Sequence, residues 1–109
     1  MDTVRMFRFS ALTFNAHRIH FDLPYAQEVE KYPGLVVHGP MQAMLLIAAA
    51  IRRRGGAAPS TFRFRGVRPL FHTDSVTLTG WPEADGKQAL AVVTGDGVMT
   101  MQADIGWAA

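Results

Sequence analysis

Three histidines in the first forty positions are the best candidates for proton transfer. His17 and His20 are three residues apart, and His38 precedes a long apolar run. Because imidazole titrates near neutral pH, a histidine takes and gives up a proton without large tuning of its pKa. We therefore expect His20 to act as a general base and general acid.

Gly39 and Pro40 follow His38 and mark the start of a predicted helix. Gly39 is expected to be the N-cap, and Pro40 the first helical residue, because proline is tolerated in the first turn. The N-terminus of a helix presents unpaired backbone N–H groups and the positive end of the helix dipole. The sequence therefore predicts half of an oxyanion site next to the candidate base.

Each of these residues also has a purely structural interpretation. His17 and His20 would be packing residues on one face of a turn, and Asn15 would cap the turn that follows it. His38 would shape its loop, with the side chain directed away from the site. A metal site from His17, His20 and Asp22 is conceivable, but the spacing matches no structural zinc pattern. We expect no metal and no cofactor.

Length and composition limit the class of protein. A chain of 109 residues has room for one domain, so residues 1–109 are expected to form a single unit. Hydrophobic residues make up 49% of the chain and charged residues 18%, which suggests a partly covered apolar surface and an oligomer. The absence of cysteine fits a reducing compartment, and the cytoplasm is expected. We find no export signal and no stretch long enough to cross a bilayer, so no membrane association is expected.

Arginines account for most of the positive charge. Arg52–Arg54 are interpreted as the last turn of a helix, which Gly55 and Gly56 would end with a left-handed cap. Arg63 and Arg65 alternate with phenylalanines, as expected for a strand. The net charge is only +2, and we expect no nucleic-acid partner, while a role for one arginine in holding an anionic group such as a CoA phosphate stays open.

The spacing of apolar residues predicts one long helix followed by antiparallel strands. The long helix is expected from Pro40 to about Arg53 and should be buried on all sides, because Gln42 is the only polar residue in its body. A shorter helix is expected from about Pro24 to Lys31, capped by Asp22. Strands are expected at 4–9, around Phe62–Arg65, Val76–Leu78 and Leu90–Val92, and at 98–107, with hairpin turns at 83–87 and 95–97. The predicted fold class is α+β, with an antiparallel sheet wrapped around one long central helix.

The first forty residues resemble the MaoC-like hydratases and dehydratases of the hot-dog fold. The signature of that family reads roughly aromatic, small, Gly, Asp, any residue, Asn, Pro, aliphatic, His. His20 stands at the catalytic His and Ile19 at the aliphatic position, whereas Asn15, His17 and Arg18 replace the family's Asp, Asn and Pro.

A subgroup is more similar still. The segments 9–20 and 32–40 resemble the mitochondrial-type 3-hydroxyacyl-thioester dehydratases and the bacterial mesaconyl-C4-CoA hydratases, in which Asn in place of Asp is the normal state. The resemblance implies a single hot-dog domain that reversibly hydrates an acyl-CoA or acyl-carrier thioester. His20 and Asn15 would be the catalytic residues. The residues that would bind the substrate are Gly39, His38, Pro40, Arg18 and His17.

The resemblance also implies a homodimer or a higher hot-dog oligomer, with a second hot-dog subunit as a further possibility. Two other functions stay open. The chain could be a non-catalytic hot-dog partner subunit, or a thioesterase or acyl-CoA-binding protein. A thioesterase would be expected to carry a carboxylate at the catalytic position, where this chain has Asn15.

Overall fold

The computed structural model describes residues 1–108, which form helices and one four-stranded antiparallel sheet. The helices are α1 (Thr3–Leu12), α2 (Leu23–Glu28) and α3 (Gly39–Arg53), with a 3₁₀ turn at Arg18–His20 between the first two. The strands are β1 (Pro59–Gly66), β2 (Val76–Pro82), β3 (Lys87–Thr94) and β4 (Met99–Trp107), in the spatial order β1-β4-β3-β2. The α+β arrangement, with the sheet packed against one long helix, is the predicted one.

The first element is a helix, and the strand predicted over residues 4–9 was wrong. The Asp2 side chain caps α1 by accepting a hydrogen bond of 2.8 Å from the backbone N–H of Val4. The residues that α1 buries are Met6 and Ser10, which are four apart and share one helical face. The prediction relied on β-branched and aromatic content, which burial of this face overrides.

Helix α2 begins as predicted and ends earlier. The Asp22 side chain caps it by accepting a hydrogen bond of 3.1 Å from the N–H of Tyr25, and Pro24 lies in the first turn. The helix ends at Glu28, and Lys31 has a left-handed backbone with a φ of 62°. Lys31 therefore belongs to the turn that follows.

Helix α3 begins at Gly39, and its N-cap is His38, one residue earlier than predicted. Its C-terminus follows the prediction, because Arg52 and Arg53 lie in the last turn and the glycines after it have positive φ values. The N–H of Gly56 donates to the carbonyl of Ile51 at 2.9 Å and closes the helix.

Helix α3 is not buried on all sides, contrary to the prediction. Met41, Leu46 and Ala50 lie in the core, but Met44 is 59% exposed and Ala48 is also exposed. The sheet of this chain covers one face of α3, so the apolar residues of the opposite face remain at the surface. The sequence pattern alone does not show whether an apolar helix face is covered by the same chain or by a partner.

Strand β4 lies in the middle of the sheet and supplies Met101, Ala103 and Ile105 to the core. A buried polar contact ties the start of α3 to this strand: the Thr100 hydroxyl donates to the Gln42 side-chain carbonyl at 3.0 Å. The two predicted hairpins join β2 to β3 and β3 to β4. Within residues 1–108, none of the helices combines the length and the apolar character that crossing a bilayer requires.

Candidate functional site

His20 ends the 3₁₀ turn and has its ring fixed by the backbone. Its Nδ1 atom lies 2.6 Å from the carbonyl oxygen of Val36. A carbonyl oxygen only accepts hydrogen bonds, so this contact requires a proton on Nδ1 and leaves the lone pair of the neutral ring on Nε2. The turn that holds His20 is bound to the same segment, because the N–H of Val36 donates to the carbonyl of Ile19 at 2.9 Å.

The position of Val36 is itself determined by its neighbours. The N–H of Val37 donates to the carbonyl of Leu70 at 2.7 Å, and the N–H of Leu35 donates to the Nδ1 atom of His72 at 2.9 Å. The carbonyl that orients His20 is therefore part of a bonded segment. This explains how a histidine in a short turn is held in one orientation.

The Nε2 atom of His20 has no hydrogen-bond partner among residues 1–108. It is also not among the fully enclosed side-chain atoms, of which Nδ1 of His38 is the one without a partner in this part of the chain. His20 is 8% exposed, so its unpaired nitrogen is a proton acceptor on a largely buried side chain. This is the geometry that a general base needs.

His38 packs against His20, which corrects the expectation that its side chain points away from the site. The two imidazole rings are stacked, with centroids 3.9 Å apart and planes 19° apart. The Nε2 atom of His38 lies 2.7 Å from the hydroxyl oxygen of Ser10, and the ring of Phe9 meets it edge-on at 4.8 Å. His38 is 1% exposed and is therefore enclosed by α1 and the 3₁₀ turn.

Burial favours the neutral form of both histidines. Removal from water lowers the pKa of His38 to about 4, and the charge of His20 contributes in the same direction. Burial also lowers the pKa of His20, the hydrogen bond to Val36 opposes this effect, and the charge of His17 adds to it. A His20 ring that is neutral in its resting state is able to accept a proton.

The N-terminus of α3 lies beside this pair, because Gly39 directly follows His38. No side chain within residues 1–108 forms a hydrogen bond that caps this end of the helix. Gly39 is half-buried, and Pro40, which has no N–H, is exposed. The backbone therefore offers the donor of Gly39 at the positive end of a 15-residue helix.

Asn15 forms a local side-chain hydrogen bond just before the 3₁₀ turn, whose N-cap is His17 and which has no side-chain cap. The Oδ1 atom of Asn15 accepts a hydrogen bond of 3.0 Å from the N–H of His17. Its side-chain amide nitrogen has no partner among the described residues and is not buried, so it remains available as a donor. The ring of His17 is exposed and lies 6.3 Å from that of His20.

The side chain of Arg18 interacts with α2 and its cap, not with the histidines. Its guanidinium group forms two hydrogen bonds of 3.0 and 2.9 Å with Asp22 and lies 4.1 Å from the ring centroid of Tyr25. Asp22 thus caps α2 and pairs with Arg18, so it is not grouped with the histidines. Within residues 1–108 no three histidine, aspartate or glutamate side chains are close enough together to hold a metal ion.

The structure stacks His20 on His38, which directly precedes Gly39, and keeps the ring of His17 6.3 Å from that of His20. Arg18 is paired with Asp22 of the α2 cap, and the side-chain contact of Asn15 is to the backbone of His17. The sequence interpretation missed Ser10 and Val36. Ser10 could have been found from its spacing of four residues to Met6, once residues 3–12 were recognised as a helix. No sequence signal identifies Val36, because its contribution is a backbone carbonyl.

The fold is similar to that of solved hot-dog structures. The (R)-hydratase from A. caviae involved in PHA biosynthesis is 18% identical, with a TM-score of 0.74 over 96% of this chain and 85% of that one. The HadBC (3R)-hydroxyacyl-ACP dehydratase complex from Mycobacterium tuberculosis is 15% identical, with a TM-score of 0.75 over 94% of this chain and 84% of the other. These similarities confirm the predicted hot-dog fold.

The chain belongs to the hydroxyacyl-thioester dehydratase type 2 family, whose pattern matches residues 1–72. A mesaconyl-C(4)-CoA hydratase from Chloroflexus aurantiacus is 54% identical over 80 residues, which are 73% of this chain and 28% of the relative. A mitochondrial hydroxyacyl-thioester dehydratase type 2 from Schizosaccharomyces pombe is 39% identical over 70 residues, 62% of this chain and 23% of the relative. The match thus spans about a quarter of the length of these relatives.

Proposed function

We propose that this protein adds water reversibly across the 2,3 double bond of an acyl thioester. The observation that carries the proposal is the state of His20, whose Nδ1 is hydrogen-bonded to a backbone carbonyl while its Nε2 has no partner among residues 1–108. This base lies beside the uncapped N-terminus of α3. Family membership and the names of the two relatives support the same reaction.

In the hydration direction, His20 Nε2 takes a proton from water, and the resulting hydroxide bonds to C3 of the enoyl thioester. The electron pair of the double bond moves onto the thioester oxygen, where the N–H of Gly39 and the helix dipole stabilise the negative charge. The His20 imidazolium then returns the proton to C2. Water and enoyl thioester are thereby converted into the 3-hydroxyacyl thioester.

Asn15 is proposed to orient the water with its free amide N–H group, because an amide cannot carry the proton itself. The mechanism therefore depends on one histidine for every proton transfer. His38 and Pro40 border the site, and His17 lies at its edge, within reach of a substrate. The engagement of Arg18 with Asp22 gives it a role in holding the 3₁₀ turn against α2.

The proposed substrate is a CoA or acyl-carrier thioester, and no cofactor takes part. Mesaconyl-CoA is the first substrate to test, since the relative at 54% identity is a mesaconyl-C(4)-CoA hydratase. The proposal places residues 1–109 in one hot-dog unit, in the cytoplasm.

An oligomer is part of the proposal. Apolar side chains are exposed on two helices: Phe7 and Phe14 on α1 and the loop after it, and Met44 on the outer face of α3. Phe14 is 94% exposed, and its backbone is left-handed, with a φ of 54°. A second copy, or a second hot-dog subunit, would cover these residues. Light scattering of the purified protein tests this, with a monomer as the contrary result.

The test of the function is hydration of crotonyl-CoA and mesaconyl-CoA, followed by loss of the enoyl-thioester absorbance. Turnover of either compound supports the proposal. A folded protein that hydrates neither, alone or with a second hot-dog subunit, contradicts it. The second candidate, a partner subunit that is inactive alone, is favoured by the relatives' much greater length. Activity that appears only on mixing with another hot-dog chain would identify that case.

A further inference from the structure

Three buried side chains lie in a row: Ser10, His38 and His20. The proposed mechanism assigns proton transfer to His20 alone. The Ser10 hydroxyl lies 2.7 Å from His38 Nε2, and the His38 ring is stacked on that of His20. Ser10 is 5% exposed and comes from α1, so the row joins the first helix to the N-terminus of α3.

The contact to Ser10 is the one polar attachment of the His38 ring within residues 1–108. Its other nitrogen, Nδ1, is buried and has no hydrogen-bond partner in that part of the chain. Without the Ser10 hydroxyl, both ring nitrogens would lack partners in an apolar site, which is unfavourable for a fixed ring. Ser10 therefore determines where the His38 ring lies.

The His38 ring in turn covers one face of His20. The hydrogen bond to Val36 fixes only the Nδ1 edge of His20, and rotation about that contact would move Nε2. A flat, uncharged ring 3.9 Å away limits this rotation and keeps water from that face. A second positive charge at this distance would oppose protonation of His20, so a neutral His38 is also the state that lets His20 accept a proton.

We propose that Ser10 and His38 are positioning residues: the Ser10 hydroxyl holds the His38 ring, and that ring keeps the His20 imidazole oriented for proton transfer. The inference rests on the proposed function only where turnover is concerned. The orientation and titration of His20 are properties of the free protein. Two titratable groups bear on His20, namely His38 on its face and His17 at its edge.

The experiment compares the wild-type protein with Ser10→Ala and with a matched control, Ser60→Ala. Ser60 also donates a hydroxyl hydrogen bond, to the carbonyl of Gly106 at 3.1 Å, but it lies on β1. Imidazole ¹⁵N NMR reports the tautomer and pKa of each histidine, and thioester hydration gives kcat and KM across the pH range.

In the wild type we expect His20 protonated on Nδ1 when neutral, and His38 neutral down to a pH of about 4. In Ser10→Ala the pKa of His20 should rise towards that of an ordinary histidine, because water reaches the ring. We expect kcat to fall about tenfold with little change in KM, since orientation of the base affects chemistry more than binding. The apparent pKa in the pH profile of kcat should rise together with the pKa of His20.

A wild-type His38 that titrates as an ordinary histidine would overturn the proposal even without a folded variant. So would a folded Ser10→Ala whose His20 titration and kcat match those of Ser60→Ala. If the wild type has no hydratase activity, alone or with a second hot-dog subunit, the proposed function fails while the NMR data still decide the positioning role.

Discussion

Burial of His38 should make the stability of the protein depend on pH. Its pKa is about 4 in the folded protein, whereas an exposed histidine in the unfolded chain has a pKa of 6.5. Below pH 6.5 the unfolded chain binds the proton more readily than the folded protein does. The free energy of unfolding is therefore undiminished above a pH of about 6.5 and decreases as the pH falls towards 4. The difference between the two pKa values corresponds to about 3 kcal/mol in total.

In a window from about pH 7.5 to pH 5 most carboxylates stay ionised, so buried histidines dominate the change. His20, whose pKa burial also lowers, contributes in the same direction as His38. Over that window we expect His38 to contribute a loss of about 2 kcal/mol in the free energy of unfolding. The variant His38→Gln removes the titrating group and should reduce the pH-dependent loss by that amount. The exposed His17→Gln serves as the control: it leaves the contribution of His38 in place and removes only the charge effect of His17 on His20, the smallest of the three effects on that pKa.

The assay is urea denaturation at both pH values and at one protein concentration, since association would otherwise change the apparent stability. The comparison uses the difference between pH values within each protein, because His38→Gln also changes packing. An equal loss in the wild type and in His38→Gln would refute the assignment of His38 as a buried neutral histidine.

Two glycines give contrasting predictions. A Cβ atom at Gly34 would lie 2.9 Å from the ring of His72, so Gly34→Ala should lower the free energy of unfolding by about 1–3 kcal/mol, measured by denaturation. Gly66→Ala, which meets nothing within 4 Å, is its control, and equal stability of the two variants would contradict the prediction. At Gly39 a Cβ atom would meet only Met101 at 3.9 Å, so Gly39→Ala should fold normally but lose about tenfold or more in kcat/KM if the thioester approaches that N–H. Unchanged kinetics would remove Gly39 from the oxyanion site.

The sheet and the long helix were predictable because their signals are local. Alternation identifies β1 and β2, the turn residues identify the hairpins, and the Asp22 cap predicts the start of α2. Helix α1 was missed because its aromatic residues suggest a strand, and only the tertiary burial of Met6 and Ser10 decides otherwise. The exposed face of α3 could not be predicted, because the sequence does not tell which molecule covers an apolar surface.

The candidate site was predicted in part. The types of His20 and Gly39 predicted a base beside a helix N-terminus, and in the structure the ring of His20 stacks on His38, the residue that precedes Gly39. The stacking of His38 on His20 was not predictable, because it depends on how a loop folds over the 3₁₀ turn. The orienting carbonyl of Val36 carries no side-chain signal at all.

The most direct test of the account is the turnover of an enoyl-CoA by His20→Ala, measured beside the wild type and Asn15→Ala. Because His20 handles every proton in the proposed mechanism, its replacement should abolish hydration while the protein stays folded. Asn15→Ala should lose less, since its amide only orients water. Equal and small losses in both variants would contradict the central role of His20.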